Sequence, residues 1–172
     1  FGFEESYGYL LKPFVRDKDA IQAMLILAEI TAYYKQQNLS ILDALDDIYE
    51  EYGYYLEETL SFTFEGLSGM EQMKQIMYQL RHHPLEHIHE IPVIRFEDYH
   101  IGEFVDYLGN TGVLVYPKAD VLKYMLKDET WIAIRPSGTE PKIKIYIGVR
   151  GETKEEAEKR LLAYSDFVQT LL

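Results

Sequence analysis

The sequence contains no cysteine and few basic residues, and each absence excludes a class of protein. Without cysteine there is no disulfide scaffold, thiol nucleophile or thiolate metal site, and a reducing compartment such as the cytoplasm is favoured. The 17 Lys and Arg residues against 29 Asp and Glu residues produce a net charge of −12, whereas nucleic acids and anionic membranes bind cationic surfaces. No apolar run approaches the roughly 18 residues of a membrane-spanning helix. We therefore predict a cytoplasmic protein that binds neither nucleic acid nor membrane.

Enough apolar residues are present to build a core. The chain has 172 residues, of which 47% are apolar. Chains of roughly 150 residues bury about two-thirds of their unfolded surface, so length and composition predict one or two globular domains without covalent cross-links. The chain starts with Phe1 and not with methionine, and we expect it to be a piece of a longer protein.

Helical periodicity dominates the first third of the chain. Apolar residues recur at spacings of three and four over residues 17–38, which predicts a helix with a buried face. Ser40 followed by Asp43 resembles a capping box. It predicts a second helix over residues 41–52, which ends at Gly53.

The pattern changes at Gly53, where we place the boundary between a mostly helical domain, 1–53, and a second domain, 54–172. Short β-rich runs and the capping pair Ser68 and Glu71 follow. The predicted elements are a strand at 54–64, a helix at 68–83, strands at 91–99, 112–116, 131–135 and 142–149, a helical turn at 120–127 and a helix at 153–172. This order predicts an α+β fold with an antiparallel sheet of about four strands and helices on one face.

One loop between two predicted strands carries residues suited to anion binding. Ser137, Gly138 and Thr139 occupy the tip of the loop 136–141. A glycine with positive φ would let successive backbone N–H groups converge there, and the two hydroxyls add donors. Strand alternation directs the isoleucines of both flanking strands to the core. The cations are expected on the opposite side: Arg135, Lys142 and Lys144.

This arrangement predicts a site for a phosphate monoester in an otherwise acidic protein. Arg135 presents a planar fork that can hold two phosphate oxygens at once. The loop lacks the Gly-x4-Gly-Lys-Ser/Thr pattern, so it is neither a nucleotide P-loop nor a dinucleotide fingerprint. From the residues alone, the alternative is an ordinary glycine-containing hairpin turn with solvated cations.

The complete string RPSGTEPK at residues 135–142 resembles the phosphate-binding loop of the phosphohexomutase family, the phosphoglucomutases and phosphomannomutases. The resemblance implies that Lys142 and Lys144 are helpers in binding the phosphate of a phosphosugar. It assigns the principal phosphate contacts to four residues: Arg135, Ser137, Gly138 and Thr139.

A second string, GFEESYG at residues 2–8, resembles the sugar-binding loop in the third domain of the family. By this resemblance, Glu4 and Ser6 would hold sugar hydroxyls, and Lys18 stands in the place of a substrate-contacting lysine. Without the resemblance, the stretch is an acidic, glycine-bounded turn followed by a solvated lysine. The Glu-Glu-Ser pattern is closer to phosphoglucomutases than to dual-specificity enzymes. Glucose 1-phosphate and glucose 6-phosphate are thus the expected ligands, with mannose phosphates as the alternative.

The two strings lie at opposite ends of the chain and in the order of the family, so the resemblance covers essentially all 172 residues. It implies a two-helix remnant of the α/β domain 3, followed by the whole phosphate-binding domain 4. In the family, a phosphorylated serine of domain 1 carries the phosphoryl group, and an Asp-Gly-Asp-x-Asp-Arg loop of domain 2 binds Mg²⁺. Neither motif occurs here. We therefore expect no catalytic residue, metal ligand or cofactor in this chain, Mg²⁺ in the parent enzyme, and the missing N-terminal domains as partners.

Three functions follow as hypotheses. In the first, the parent enzyme is an isomerase that interconverts hexose 1-phosphate and hexose 6-phosphate by intramolecular phosphoryl transfer, and this chain alone binds the phosphosugar without catalysis. In the second, the chain is a stand-alone module that binds phosphorylated ligands or regulates through them. The sequence that precedes Phe1 would discriminate these two. In the third, the chain is a pure interaction domain, which predicts no phosphate-dependent NMR shifts at Gly138 or Thr139.

The five histidines suggest a metal site only weakly. His83 and His87 would share a helical face, but Pro84 interrupts the helix between them. No partnering Glu-x-x-His arrangement is present. We predict a solvated loop between helix and strand.

Overall fold

The computed structural model describes residues 1–4, 7–66 and 68–171. The chain divides into two compact units, Phe1–Tyr52 and Gly53–Leu172. Within the described part of the chain, no helix is both long enough and apolar enough to cross a membrane.

The first unit consists of a short hairpin followed by two helices. Its elements are β1 (Gly2–Glu4), β2 (Gly8–Leu10), α1 (Ala20–Gln36) and α2 (Ile41–Tyr52). The two helices confirm the sequence prediction, whereas the antiparallel pairing of β1 with β2 was not predicted. Each of these strands has three residues, which is too short for an alternating pattern to be recognised.

Side-chain caps define where both helices begin. The Asp19 carboxylate accepts hydrogen bonds from the backbone N–H of Ile21 at 2.9 Å and of Gln22 at 3.2 Å, at the start of α1. At the start of α2, the N–H of Ser40 donates to the Asp43 carboxylate at 2.7 Å, and the N–H of Asp43 donates to the Ser40 hydroxyl at 3.1 Å. This reciprocal pair confirms the predicted capping box. A cap of this kind contributes about 1 kcal/mol to helix stability.

The predicted burial of one face of α1 is not found within this unit. Ile21, Met24 and Leu25 are more than 60% exposed, and none of the residues of α1, all of which are described, is buried. Apolar side chains cover most of the circumference of α1, so its burial requires neighbours on several sides. Among the described residues of this unit, the elements that can pack against it are α2 and the short hairpin.

The second unit is an antiparallel sheet with two helices. Its elements are β3 (Tyr54–Thr63), α3 (Gly69–His82), β4 (His87–Ile88), β5 (Ile91–Asp98), β6 (Glu103–Asp106), β7 (Thr111–Val113), β8 (Leu122–Leu126), β9 (Trp131–Pro136), β10 (Lys142–Gly151) and α4 (Lys154–Gln169). The strands lie in the order β3-β10-β9-β8-β5-β6-β7, with β4 paired to β5, and every pair is antiparallel. The α+β class is therefore confirmed.

Several details of the prediction for this unit were wrong. The sheet has eight strands among the described residues and not about four, and the unpredicted β4 and β6 are only two and four residues long. The predicted helical turn at 120–127 is instead β8, in which Leu122, Tyr124 and Leu126 are buried at period two. The Ser68 side chain makes no capping hydrogen bond to α3.

The core lies on one face of the sheet. Met73 and Met77 of α3 and Ala157 of α4 cover the inward side chains of three central strands. These inward side chains are each at most 1% exposed: Leu122, Tyr124, Leu126, Ile132, Ile134, Ile143, Ile145 and Ile147. Burial of one isoleucine contributes about 1.5–3 kcal/mol, so a shift of register by one residue would be strongly unfavourable. The same alternation directs Arg135 and Lys144 to the opposite, open face of the sheet, as predicted.

Candidate anion-binding site

The loop between β9 and β10 is closed by its own hydrogen bonds. The backbone N–H of Ser137 donates to the carbonyl of Lys142 at 2.8 Å, and the N–H of Lys142 donates to the carbonyl of Glu140 at 2.8 Å. The Ser137 hydroxyl accepts from the N–H of Glu140 at 3.2 Å and, more weakly, from that of Thr139 at 3.4 Å. An anion that binds these two N–H groups must therefore take over the acceptor position of the Ser137 hydroxyl.

A distant turn supports the far end of the loop, and sequence analysis missed this contact. The N–H of Phe64 donates to the carbonyl of Pro141 at 2.8 Å, which extends the pairing of β3 with β10 into the loop. Gly69, the first residue of α3, packs against both residues: a Cβ there would lie 3.0 Å from the Phe64 carbonyl carbon and 3.1 Å from the Pro141 Cβ. No local sequence pattern signals this contact, because Phe64 and Pro141 are far apart along the chain.

Two of the three predicted cations are available to an anion. Arg135 and Lys144 are direct cross-strand neighbours, and both side chains are exposed. Neither side chain has a hydrogen-bond or ion-pair partner among the residues that the structure describes. Like charges that face each other across a strand pair repel, and a phosphate beside both would offset that repulsion. Lys142 differs, because its ammonium lies 3.0 Å from the Glu140 carboxylate.

Gly138 does not have the positive φ that was expected from its place at the tip of the loop. A cavity of about 450 Å³ is lined by residues 135–140, Lys142 and Lys144. Gly138 lies in this lining, but its φ is not in the left-handed region. A Cβ on Gly138 would meet no atom within 4 Å. In this conformation, the glycine leaves the cavity open and does not serve to permit a tight turn.

Replacement of Gly138 by alanine should therefore weaken anion binding without loss of stability. The added methyl group meets no protein atom, but it occupies space at the tip of the loop where a phosphate would approach. We expect the affinity for inorganic phosphate to fall roughly tenfold, which corresponds to about 1.4 kcal/mol. Isothermal titration calorimetry measures the affinity, and thermal denaturation measures the stability.

Gly2→Ala is the matched control for this substitution. A Cβ on Gly2 also meets no atom within 4 Å, and Gly2 lies in the first unit. We expect Gly2→Ala to change neither phosphate affinity nor the melting temperature. Unchanged phosphate binding in Gly138→Ala would contradict the assignment of this cavity to the anion.

A second cluster lies at the β1–β2 hairpin. Glu4 ends β1 and lies opposite Gly8. The Lys18 ammonium lies 3.2 Å from the Glu4 carboxylate and 3.3 Å from that of Asp17. The stem of Lys18 crosses Gly8, where any Cβ would collide with it. The structure thus brings together two of the predicted sugar-contacting residues, Glu4 and Lys18, while Ser6 lies outside the described residues.

The electrostatics of this cluster favour its charged forms. The hydrogen bond to Glu4, followed by that to Asp17, raises the pKa of Lys18. The backbone N–H and the ammonium of Lys18 lower the pKa of Asp17. These groups line a cavity of about 280 Å³ beside the hairpin. A carboxylate that accepts and an ammonium that donates, side by side, can bind neighbouring hydroxyl groups of one sugar.

The histidines are the remaining candidates for a metal site. Across the described ranges, no group of three or more His, Cys, Asp and Glu side chains could hold a metal ion. His82 lies in α3 with its ring centroid 4.1 Å from that of Tyr78, and His87 lies in β4. The predicted solvated loop is therefore shorter than expected, although both side chains are exposed.

The fold and the loop define an α+β domain with a cationic, glycine-containing turn on its sheet. Comparison with similar proteins indicates the family to which this domain belongs. Two family models match: phosphoglucomutase/phosphomannomutase, C-terminal domain, at residues 90–162, and alpha/beta/alpha domain III of the same family at residues 1–52. A phosphoglucomutase of Staphylococcus saprophyticus is 39% identical over 162 residues, which cover 94% of this chain and 29% of the relative. A phosphoglucomutase of Staphylococcus epidermidis is 42% identical over 151 residues, 87% of this chain and 27% of the relative.

The chain therefore belongs to the phosphoglucomutase/phosphomannomutase family. It spans less than a third of the length of the curated relatives it matches. A crystal structure of the exocytosis-sensitive phosphoprotein pp63/parafusin, a phosphoglucomutase from Paramecium, in its open form, has a TM-score of 0.56. The sequences of the two proteins are 18% identical, and the match covers 96% of this chain and 30% of the Paramecium chain. At this identity the similarity supports the fold alone.

Proposed function

We propose that this chain binds the phosphate group of a hexose phosphate, as part of a phosphoglucomutase or phosphomannomutase. That enzyme interconverts hexose 1-phosphate and hexose 6-phosphate in carbohydrate metabolism. The observation that carries the proposal is the cross-strand pair of exposed cations, Arg135 and Lys144, beside the Ser137 and Thr139 hydroxyls. The chain has a net charge of −12, yet neither of these two cationic side chains forms an ion pair with a carboxylate among the described residues.

The loop would hold the phosphate group that is not reacting. Binding energy from a remote group orients the substrate and lowers the entropic part of the barrier. Arg135 suits this role, because a guanidinium can donate to two phosphate oxygens at once. Lys144 adds charge from the neighbouring strand.

Phosphoryl transfer itself requires a group that carries the phosphoryl moiety and a metal ion that offsets its charge. We propose that other domains of the parent enzyme supply both the serine and the Mg²⁺ site, and that this chain alone binds without catalysis. The family membership of the chain supports this division of roles. We place the enzyme in the cytoplasm, since a chain without cysteine suits a reducing compartment.

For the sugar, we propose that Glu4 and Lys18, together with Ser6, contact hydroxyl groups. The support is the 3.2 Å contact between the Glu4 carboxylate and the Lys18 ammonium, which places an acceptor and a donor next to each other beside a cavity. The Glu-Glu-Ser pattern resembles that of phosphoglucomutases, which implies a preference for glucose over mannose. Mannose 6-phosphate should therefore bind more weakly than glucose 6-phosphate.

Titration of the ¹⁵N-labelled chain with glucose 6-phosphate, followed by NMR, tests the proposal. We expect saturating amide shifts at Gly138, Thr139 and Lys144, and shifts at the same residues with inorganic phosphate. Glucose carries no phosphate, so it should leave the loop signals in place. If neither anion shifts these three amides, the loop is not a phosphate site.

A further inference from the structure

One contact in the loop is not explained by phosphate binding alone. The Lys142 ammonium lies 3.0 Å from the Glu140 carboxylate, and both residues line the same cavity as Arg135 and Lys144. Glu140 thus places a negative charge inside a site whose other charged side chains are positive. A carboxylate in that position accepts from a lysine in the same way as a phosphate oxygen does.

We propose that Glu140 is an internal competitor of the phosphate: it holds Lys142 when the loop is empty and gives Lys142 up when phosphate binds. The inference rests on the proposed function of the loop. The backbone of Glu140 belongs to the closed loop, because its N–H donates to the Ser137 hydroxyl at 3.2 Å. The competing carboxylate is therefore part of the binding loop itself.

The exchange is favourable on physical grounds. The side chain of Glu140 is 61% exposed and that of Lys142 is 31% exposed, and ion pairs of such exposure are weak. A phosphate monoester carries up to two negative charges against one for the carboxylate, and the lysine stem is flexible enough to redirect its ammonium. Arg135 and Lys144 have no comparable partner among the described residues, so only Lys142 is subject to this competition.

This competition should lower the affinity of the loop for phosphate and increase the rate at which phosphate dissociates. Glu140→Gln removes the competing charge but keeps the size of the side chain. We expect this variant to bind inorganic phosphate about two- to fivefold more tightly than the wild-type chain, since exposed ion pairs are worth this factor. Calorimetric or NMR titration of the full chain measures the dissociation constant.

Glu158→Gln is the matched control. Glu158 is an exposed carboxylate on α4, 3.9 Å from Lys154, and α4 covers the core face, opposite to Arg135 and Lys144. The substitution changes the net charge by the same amount without touching the loop. We expect no change in phosphate affinity, and an equal gain in both variants would overturn the proposal in favour of a general charge effect.

The exchange also has a direct spectroscopic signature. We expect the side-chain carboxyl ¹³C signal of Glu140 to move during the phosphate titration, with the same dissociation constant as the loop amides. Its end point should match the signal in Lys142→Met, in which Glu140 has lost its lysine. A Glu140 signal that stays in place while the loop amides shift would overturn the inference and leave the phosphate site intact. If phosphate does not shift the loop amides of the wild-type chain at all, the result contradicts the proposed phosphate site itself, on which the inference rests.

Discussion

Replacement of Arg135 by alanine is expected to lower the affinity of the chain for inorganic phosphate and for glucose 6-phosphate by roughly 10- to 100-fold. Arg135 is exposed and has no ion-pair partner among the described side chains, so its removal leaves no buried charge behind and should not unfold the domain. A hydrogen bond to a charged group contributes about 1.5–3 kcal/mol, which corresponds to this factor. Calorimetric titration measures the affinity. In the proposed parent enzyme, we expect the loss in kcat/KM.

Lys159→Ala provides the control for the loss of one positive charge. Lys159 is exposed on α4, which packs on the core face of the sheet, opposite to Arg135. We expect its phosphate affinity to stay within a factor of two of the wild-type value. Similar affinities for Arg135→Ala and the wild-type chain would remove the basis for placing phosphate at this loop.

The second large effect concerns stability and not binding. The Arg81 side chain, in the last turn of α3, donates to the Asp98 carboxylate of β5 at 2.9 Å, and Asp98 is only 2% exposed. The Asp98 carboxylate also accepts from the N–H of His100 at 2.9 Å. Arg81→Met keeps most of the apolar stem but leaves a buried carboxylate without its cation. We expect the free energy of unfolding of the second unit to fall by about 3–5 kcal/mol.

Urea denaturation of the chain measures this loss, and an exposed ion pair offers the comparison. Lys154 and Glu158 of α4 are both more than half exposed, at 3.9 Å, so Lys154→Met should cost at most about 1 kcal/mol. Asp98→Asn in the Arg81→Met background should recover part of the loss, because the neutral amide still accepts from His100. A loss below 1 kcal/mol in Arg81→Met would show that the pair contributes little.

The elements that the sequence predicted correctly depend on local patterns. Isoleucines alternate over residues 132–134 and 143–147, and the alternation alone placed Arg135 and Lys144 on the open face. The reciprocal bonds of Ser40 and Asp43 were likewise predicted from four consecutive residues. Such features need no knowledge of distant contacts, because each is decided by backbone geometry over a few residues.

The wrong predictions concern segments whose secondary structure is determined by contacts with residues far away in the sequence. β8 was predicted as a helical turn because Val121, Leu122 and Met125 also fit helical spacing. Pairing with β5 and β9 selects the strand, in which Tyr124 is buried and the Met125 side chain points to the other face. Short strands such as β4 exist only through their partner, since two residues carry no periodic pattern.

For the candidate site, the sequence by itself determined which residue types occupy the loop and which face of the sheet they share. It also determined the family, because the strings at both ends of the chain are long enough to be specific. Only the tertiary structure decided which cations are available: Lys142 is paired with Glu140, whereas Arg135 and Lys144 face each other across two strands. Likewise, the support of Pro141 by Phe64 and Gly69 joins segments more than 70 residues apart. The physical reason is that strand alternation is a local property of the backbone. The loop conformation that brings the Lys142 ammonium to the Glu140 carboxylate, and the packing of Gly69 against Pro141, depend on strands and helices that only the folded domain brings together.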